Sequence, residues 1–408
     1  MNSTTRFQLS LMMFLEFFIW GGWFVTLGTF LGANLQADGA KIGQVFSTQS
    51  WGAIIAPFII GLIADRFFNA EKILGVLHIL GAGLMYMMYS SDTVSAFYPY
   101  ALGYMILYMP TLALVNSVSF NQMKNPEKEF SIIRVFGTLG WIVAGLLISY
   151  AFHWDAQENV AKGMLKNTFL LSGIAALVLG LLSFTLPKTP PSKTAGEKVS
   201  LNQILGLDAL KLLKDKNFLV FFVASILICI PLAFYYQNAN PFLAAIGMEN
   251  PTGKMTIGQA SEVLFLLALP VFFSKFGFKK TILVGMLAWA VRYVLFAYGN
   301  AGSLSFMLLL GIALHGICYD FFFVSGQIYT NAKAGEKYKS AAQGLITLAT
   351  YGVGMLIGFK VAGWITDKYT GDYKMIWLIP AAIAAAVFLL FTVSFKNEKT
   401  SVEIKEQL

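Results

Sequence analysis

The sequence predicts an all-α membrane protein with twelve transmembrane helices in two six-helix halves. Three observations carry this. Of the 408 residues, 57% are hydrophobic and only 12% charged, where a soluble domain carries about 25% charged residues. The apolar residues gather into twelve runs, each near the ~20 residues a helix needs to cross a bilayer. The longest polar stretch, 188–216, falls between the sixth run and the seventh.

In the N-terminal half, 1–187, the runs cover 8–32, 43–64, 71–91, 96–118, 131–152 and 167–187. In the C-terminal half, 217–395, they cover 217–240, 256–274, 281–299, 303–330, 341–366 and 374–395, ahead of a short tail, 396–408. The linker, 188–216, follows Pro187, carries six lysines, and reads as cytoplasmic with a short amphipathic helix near 201–214. Several runs contain helix breakers: Pro110, Pro231, Pro270, and Gly21-Gly22 between Trp20 and Trp23. The fifth run carries Gly137, Gly140 and Gly145. Such residues permit bending and close helix contact, and ordinary membrane-helix packing accounts for them equally well.

The net charge of +8 would suit a nucleic-acid partner if it formed a patch, but it does not. With the N-terminus placed inside, twenty lysines and arginines fall on cytoplasmic segments and six on the opposite side. That asymmetry predicts a multi-pass protein of an inner or plasma membrane with both termini cytoplasmic, and no nucleic-acid partner. Cys229 and Cys318 both sit within apolar runs and read as small packing residues. No cleavable signal peptide is evident, because the first apolar run is long enough to continue as a span.

Ionisable groups inside spans cost about 2.5 to 3.5 kcal/mol each on insertion scales and mark functional sites. Arg134 opens the fifth run, with Thr138 and Trp141 at i+4 and i+7, so one helix face carries all three. A forked donor, a hydroxyl and an aromatic surface suit a polar, planar ligand. The competing reading is an arginine at a helix end reaching back to the interface. Glu262 follows Gln259 at i+3, again on one face. A carboxyl in a low-dielectric site can take and release a proton near neutral pH, and a proton crossing the membrane is worth about 2.3 kcal/mol per 100 mV. Glu262 is therefore the candidate coupling group, unless it is held in a static pair with Arg134 or Arg292. Asp320 is a second candidate acid that Arg292 could instead neutralise. His315 and Tyr319, at i and i+4, can face one cavity. Glu16 reads as structural or gating, Lys360 as snorkelling outward, and His78 as packing.

The turn Gly61-Leu62-Ile63-Ala64-Asp65-Arg66 ends the second run on the cytoplasmic side. Asp65 and Arg66 there can latch neighbouring helix ends and act in gating, or stand in a plain solvated loop. The soluble loops hold no phosphate-cradling glycine loop, zinc-ligand cluster or nucleophile triad, which argues against an ATP-driven pump and against an enzyme. A solute sensor would need a signalling surface, for which only the linker and the tail are available.

Twelve spans in two halves, with the Gly61-to-Arg66 turn, resemble the major facilitator superfamily. Closer motifs resemble its nucleoside:proton symporter family: Trp20-Gly21-Gly22-Trp23, Tyr108-Met109-Pro110-Thr111-Leu112, Arg134 to Trp141, Leu205-Gly206-Leu207-Asp208-Ala209, Ala288-Trp289-Ala290-Val291-Arg292, and Phe296-Ala297-Tyr298-Gly299. The resemblance runs over nearly the whole chain. It implies a proton-driven nucleoside importer working by alternating access, with no cofactor beyond the proton gradient and a nucleoside-like solute, protons and the lipid bilayer as partners. It puts Arg134, Thr138 and Trp141 at substrate-site positions, Gln259 with them, Glu262 as the coupling group, and Asp320 at a family acid. Departures from the pattern are Ala233 and Tyr236 where the family can place glutamine and asparagine, and His315 and Tyr319 where it can place tyrosine and phenylalanine. Trp141 stands where a phenylalanine can occur. Tyr236, His315 and Tyr319 are therefore expected to re-shape the substrate site. A monomeric carrier is expected, and a proton-coupled porter of a sugar or other small polar metabolite is the alternative.

Overall fold

A computed structural model describes residues 2–59, 68–124, 126–191 and 207–396. Asp65 and Arg66 lie outside the described residues, as do the first residues of the expected linker helix. Among the described residues the chain is helical, with no strand.

Among the described residues, ten helical elements are long and apolar enough to cross a membrane. One of them, Pro251–Tyr298, runs 48 residues and is interrupted at Gly277, where φ is 73°. An L side chain strongly disfavours that backbone, so glycine marks the break between the expected eighth and ninth runs. Gly335, at φ 62°, breaks the Ser325–Thr347 helix in the same way. The first run is also divided, into Ser3–Phe24 and Leu27–Asn34, and Gly39–Ile59 occupies the second. Of the amphipathic helix expected near 201–214, Leu207–Lys214 forms a 3₁₀ helix, and 201–206 lie outside the described residues.

The prolines sit inside helices and do not end them: Pro110 in Val94–Asn121 and Pro231 in Lys216–Ala245. The Pro231 carbonyl accepts a hydrogen bond from the Tyr293 hydroxyl, so a neighbouring helix supplies a partner at the break. Three π-turns, Leu147–Ala151, Asp320–Val324 and Leu348–Gly354, lie within otherwise α-helical stretches. Such turns recur at functional sites.

The chain divides into two compact units. The first comprises Met1–Val199 and Gly247–Thr256, the second Ser200–Ile246 and Ile257–Leu408. In the first, Ser3–Phe24 packs on Pro126–Leu146, and Ala70–Tyr89 packs on Asn167–Ser183. Glycine governs the first of these contacts. A Cβ on Gly140 would fall on the Phe14 carbonyl, and one on Gly21 would lie 2.8 Å from the Trp141 ring. The first unit also holds the start of the long Pro251 helix. The Thr252 amide donates to Asp155 Oδ2 at 3.0 Å, the Gly253 amide to Ser149 Oγ at 2.7 Å, and the Ser149 hydroxyl to Asp155. A helix N-terminus is thus capped by a buried carboxylate, as its dipole favours. In the second unit, Lys216–Ala245 packs on Met355–Lys368 and Tyr373–Ser394, around Trp289, Tyr293 and Trp377, all fully buried.

Candidate functional site

In the first unit, Arg134, Thr138 and Trp141 share one face of the Pro126–Leu146 helix and are each part-buried. The Arg134 guanidinium carbon stands 4.1 Å from the Phe17 ring centroid, a cation–π distance, and among the described residues Arg134 has no ion pair with a carboxylate. Trp20 connects the rest: its ring lies 5.5 Å from Trp141 and 5.6 Å from Tyr108, both edge-on. A forked cation, a hydroxyl and four aromatic rings gather here. Glycine makes the gathering possible, since Gly21 lets the Trp141 backbone approach.

Glu16, next to Phe17 in the chain, is the centre of a second polar cluster. Glu16 is fully buried, and its Oε2 lies 2.8 Å from His78 Nε2. Thr111 donates to its Oε1 at 2.5 Å, and Tyr108 donates to its backbone carbonyl at 2.8 Å. His78, expected to be a packing residue, is the partner of a buried acid.

In the second unit, Gln259 and Glu262 are part-buried at i and i+3. Glu262 Oε1 meets His315 Nε2 at 2.9 Å. The other ring nitrogen of His315, Nδ1, lies 3.0 Å from Arg292 Nη1. Arg292 is fully buried, with its guanidinium carbon 3.5 Å from the Tyr235 ring centroid. His315 stacks on the same tyrosine at 5.2 Å between centroids. The static pairs that sequence reading left open, Arg292 with Glu262 and Arg292 with Asp320, do not occur as direct contacts among the described residues. An imidazole stands between Arg292 and Glu262. Asp320 is buried at the head of a π-turn, with Oδ2 making no hydrogen bond among the described residues and its carboxyl within electrostatic reach of Glu262. Tyr319 shares a hydrogen bond of 2.6 Å with Tyr351, a residue in another π-turn.

The structure therefore groups Arg134, Thr138 and Trp141 in one unit, and Glu262, His315, Asp320 and Tyr319 in the other. Tyr236 is part-buried on the Lys216–Ala245 helix, while Ala233 is fully buried against Gly358. Ala233 thus fills a helix contact, where a larger side chain would have to displace the neighbouring helix. Lys360 is exposed on its helix surface, as snorkelling requires. Trp20, Tyr108, Arg292 and Tyr351 were not singled out as binding residues. Spacing shows only neighbours on one helix, and these four reach their sites from other helices.

The chain matches the family model for the nucleoside H+ symporter over residues 2–400. A relative in Escherichia coli (strain K12), YegT, provisionally named a nucleoside transporter, is 41% identical across 99% of this chain and 97% of its own length. The nucleoside permease NupG of the same organism is 31% identical across 97% of both chains. A crystal structure of the nucleoside transporter NupG superposes with a TM-score of 0.86 at 30% identity, covering 98% of this chain and 100% of that one.

Proposed function

Since the chain belongs to the nucleoside H+ symporter family, within the major facilitator superfamily, we propose that it imports nucleosides together with protons across the inner membrane by alternating access. It is a multi-pass transporter and not an enzyme. The observation that carries the reading is the face formed by Arg134, Thr138 and Trp141 with Trp20 alongside, at 5.5 Å from Trp141. A nucleoside is a flat base joined to a hydroxyl-rich sugar. Indole faces stack on the base, while a guanidinium and a hydroxyl bond the rim or the sugar.

In this reading Arg134, Thr138, Trp141, Gln259, Tyr236, His315 and Tyr319 bind the solute, and Glu262 with Asp320 couples the proton. Asp65 and Arg66 act in gating. The chain makes twelve spans, keeps both termini cytoplasmic, works as a monomer, and draws on the proton gradient without a cofactor. Solute hydrogen bonds at part-buried polar groups give orientation, and the aromatic surfaces exclude water around them. The proton supplies the driving force by neutralising a carboxylate on one side of the membrane and leaving it on the other.

The test is uptake of labelled uridine and adenosine into proteoliposomes, with and without an inward proton gradient. Gradient-dependent accumulation supports the proposal. No uptake of either by folded protein overturns it and points to the sugar or small-metabolite alternative.

A further inference from the structure

Resting on that reading, we propose that Arg292 is a positioning residue for proton coupling. It holds His315 as a neutral imidazole whose Nε2–H is donated to Glu262, so that the carboxyl and not the imidazole exchanges the transported proton.

Hydrogen-bonding capacity fixes the imidazole tautomer. A guanidinium has only donors and stays protonated. Arg292 Nη1 lies 3.0 Å from His315 Nδ1, so Nδ1 must present its lone pair. The ring proton then sits on Nε2, 2.9 Å from Glu262 Oε1, where it meets a carboxylate acceptor. Both ring nitrogens are committed, and a second proton on the imidazole would point an N–H at a cation. Burial strengthens the constraint: Arg292 is 0% exposed and His315 2%.

Charge counting leads to the same place. Among the described residues Arg292 touches no carboxylate, so Glu262, one imidazole away, is the anion nearest along its hydrogen-bond path. The groups facing the imidazole are Glu262 and Arg292 at its nitrogens and Tyr235 on its face, with Tyr319 and Asp320 on its own helix. Asp320 lies within electrostatic reach of Glu262, and two neighbouring acids favour one ionised and one protonated, so the site carries one exchangeable proton with the imidazole as a fixed bridge.

The first test is spectroscopic and independent of any solute. The chain has three histidines, so ¹⁵N-histidine labelling in nanodiscs gives a readable spectrum, with His315 assigned by its loss in His315→Gln. At about pH 6, just below the ordinary imidazole pKa of about 6.5, wild-type His315 should show the neutral Nε2–H pattern. In Arg292→Gln an imidazolium signal should appear. A protonated or Nδ1–H His315 in the wild type overturns the proposal. The second test is transport. In Arg292→Gln the freed Nδ1 can take a proton, so the pH profile of gradient-driven accumulation should shift from that of the wild type; an unchanged profile in folded protein overturns the proposal. Should Arg292→Gln not fold, the wild-type spectrum still decides it, and Arg292→Lys, which keeps a cationic donor at Nδ1, should keep the neutral Nε2–H pattern. A wild type that moves no nucleoside refutes the functional reading alone, because the ¹⁵N pattern stands apart from the solute.

Discussion

Replacing His78 with leucine should destabilise the first unit more than any surface change. Glu16 is fully buried, and its carboxylate has two side-chain partners: Thr111 at Oε1 and His78 at Oε2, 2.8 Å away. Leucine is close to histidine in volume, so the cavity contribution is small. What remains is a buried carboxylate with one oxygen bare. Removing one partner of a buried pair costs about 3 to 5 kcal/mol, whereas loss of a single ordinary hydrogen bond costs about 1 kcal/mol. The larger figure applies here because the group left behind carries charge. Unfolding in mixed micelles, followed by tryptophan fluorescence, would measure it for the wild type, Glu16→Gln, His78→Leu and the double variant. Glu16→Gln alone should lose about 1 kcal/mol, since its amide can still bond His78 and Thr111. The double variant should recover much of the His78→Leu loss, because no charge is then stranded. A His78→Leu protein within about 1 kcal/mol of wild type, or one that gains nothing from the added Glu16→Gln, would refute the reasoning.

Other outcomes follow from the same geometry. Trp141→Ala should raise the KM for nucleosides by about 5- to 150-fold, given about 1 to 3 kcal/mol per stacked base, with little change in the amount of folded protein; initial-rate uptake reads it. Glu262→Gln should abolish proton-driven accumulation while leaving exchange, as a counterflow assay would show. Gly140→Ala should cost about 1 to 3 kcal/mol by overpacking against Phe14, whereas Gly83→Ala, where a Cβ meets nothing within 4 Å, should be neutral or mildly stabilising in a thermal shift. Asp215 caps the Lys216 helix through the Phe218 amide at 2.9 Å and pairs with Lys333 at 3.0 Å. Partial burial pushes its carboxyl up, but the Phe218 amide and Lys333 prevail and hold it below the usual carboxylate value. Its stabilisation is therefore complete above the unfolded pKa of about 3.9 and fades as pH falls through the lower folded value. Asp215→Ala should lower stability at neutral pH by about 1 kcal/mol and narrow its gap to wild type in acid, as unfolding midpoints across pH would record.

Much of the molecule was legible because membrane helices announce themselves by length and apolarity, and because 3.6-residue spacing puts Arg134, Thr138 and Trp141 on one face without any tertiary knowledge. The same spacing grouped Gln259 with Glu262. What spacing cannot give is the partner across a helix contact. His78 meets Glu16 from 62 positions away, and Arg292 meets His315 from 23. The sequence offered Arg292 carboxylates as partners and read His78 as packing; the contacts that form, Arg292 with His315 and His78 with Glu16, cross between helices. Ala233 shows the same limit: it stands where the family can place a polar residue, and only the structure sets its Cβ against Gly358. The π-turns were invisible for a simpler reason, since no residue type specifies the extra residue that makes one.

That extra residue gives the Asp320–Val324 turn a second meaning. An α-helix advances about 100° per residue, so deleting any one position in this segment would rotate everything after it by that angle. Gln327 and Asn331, which both receive the Gln343 side-chain amide at 2.7 Å, would swing off their partner, and Asp320 would part from the frame that follows it. The segment is thus constrained in length as well as in composition: it can absorb many exchanges of one side chain for another, yet a single codon lost there should phase-shift half a helix and silence the carrier.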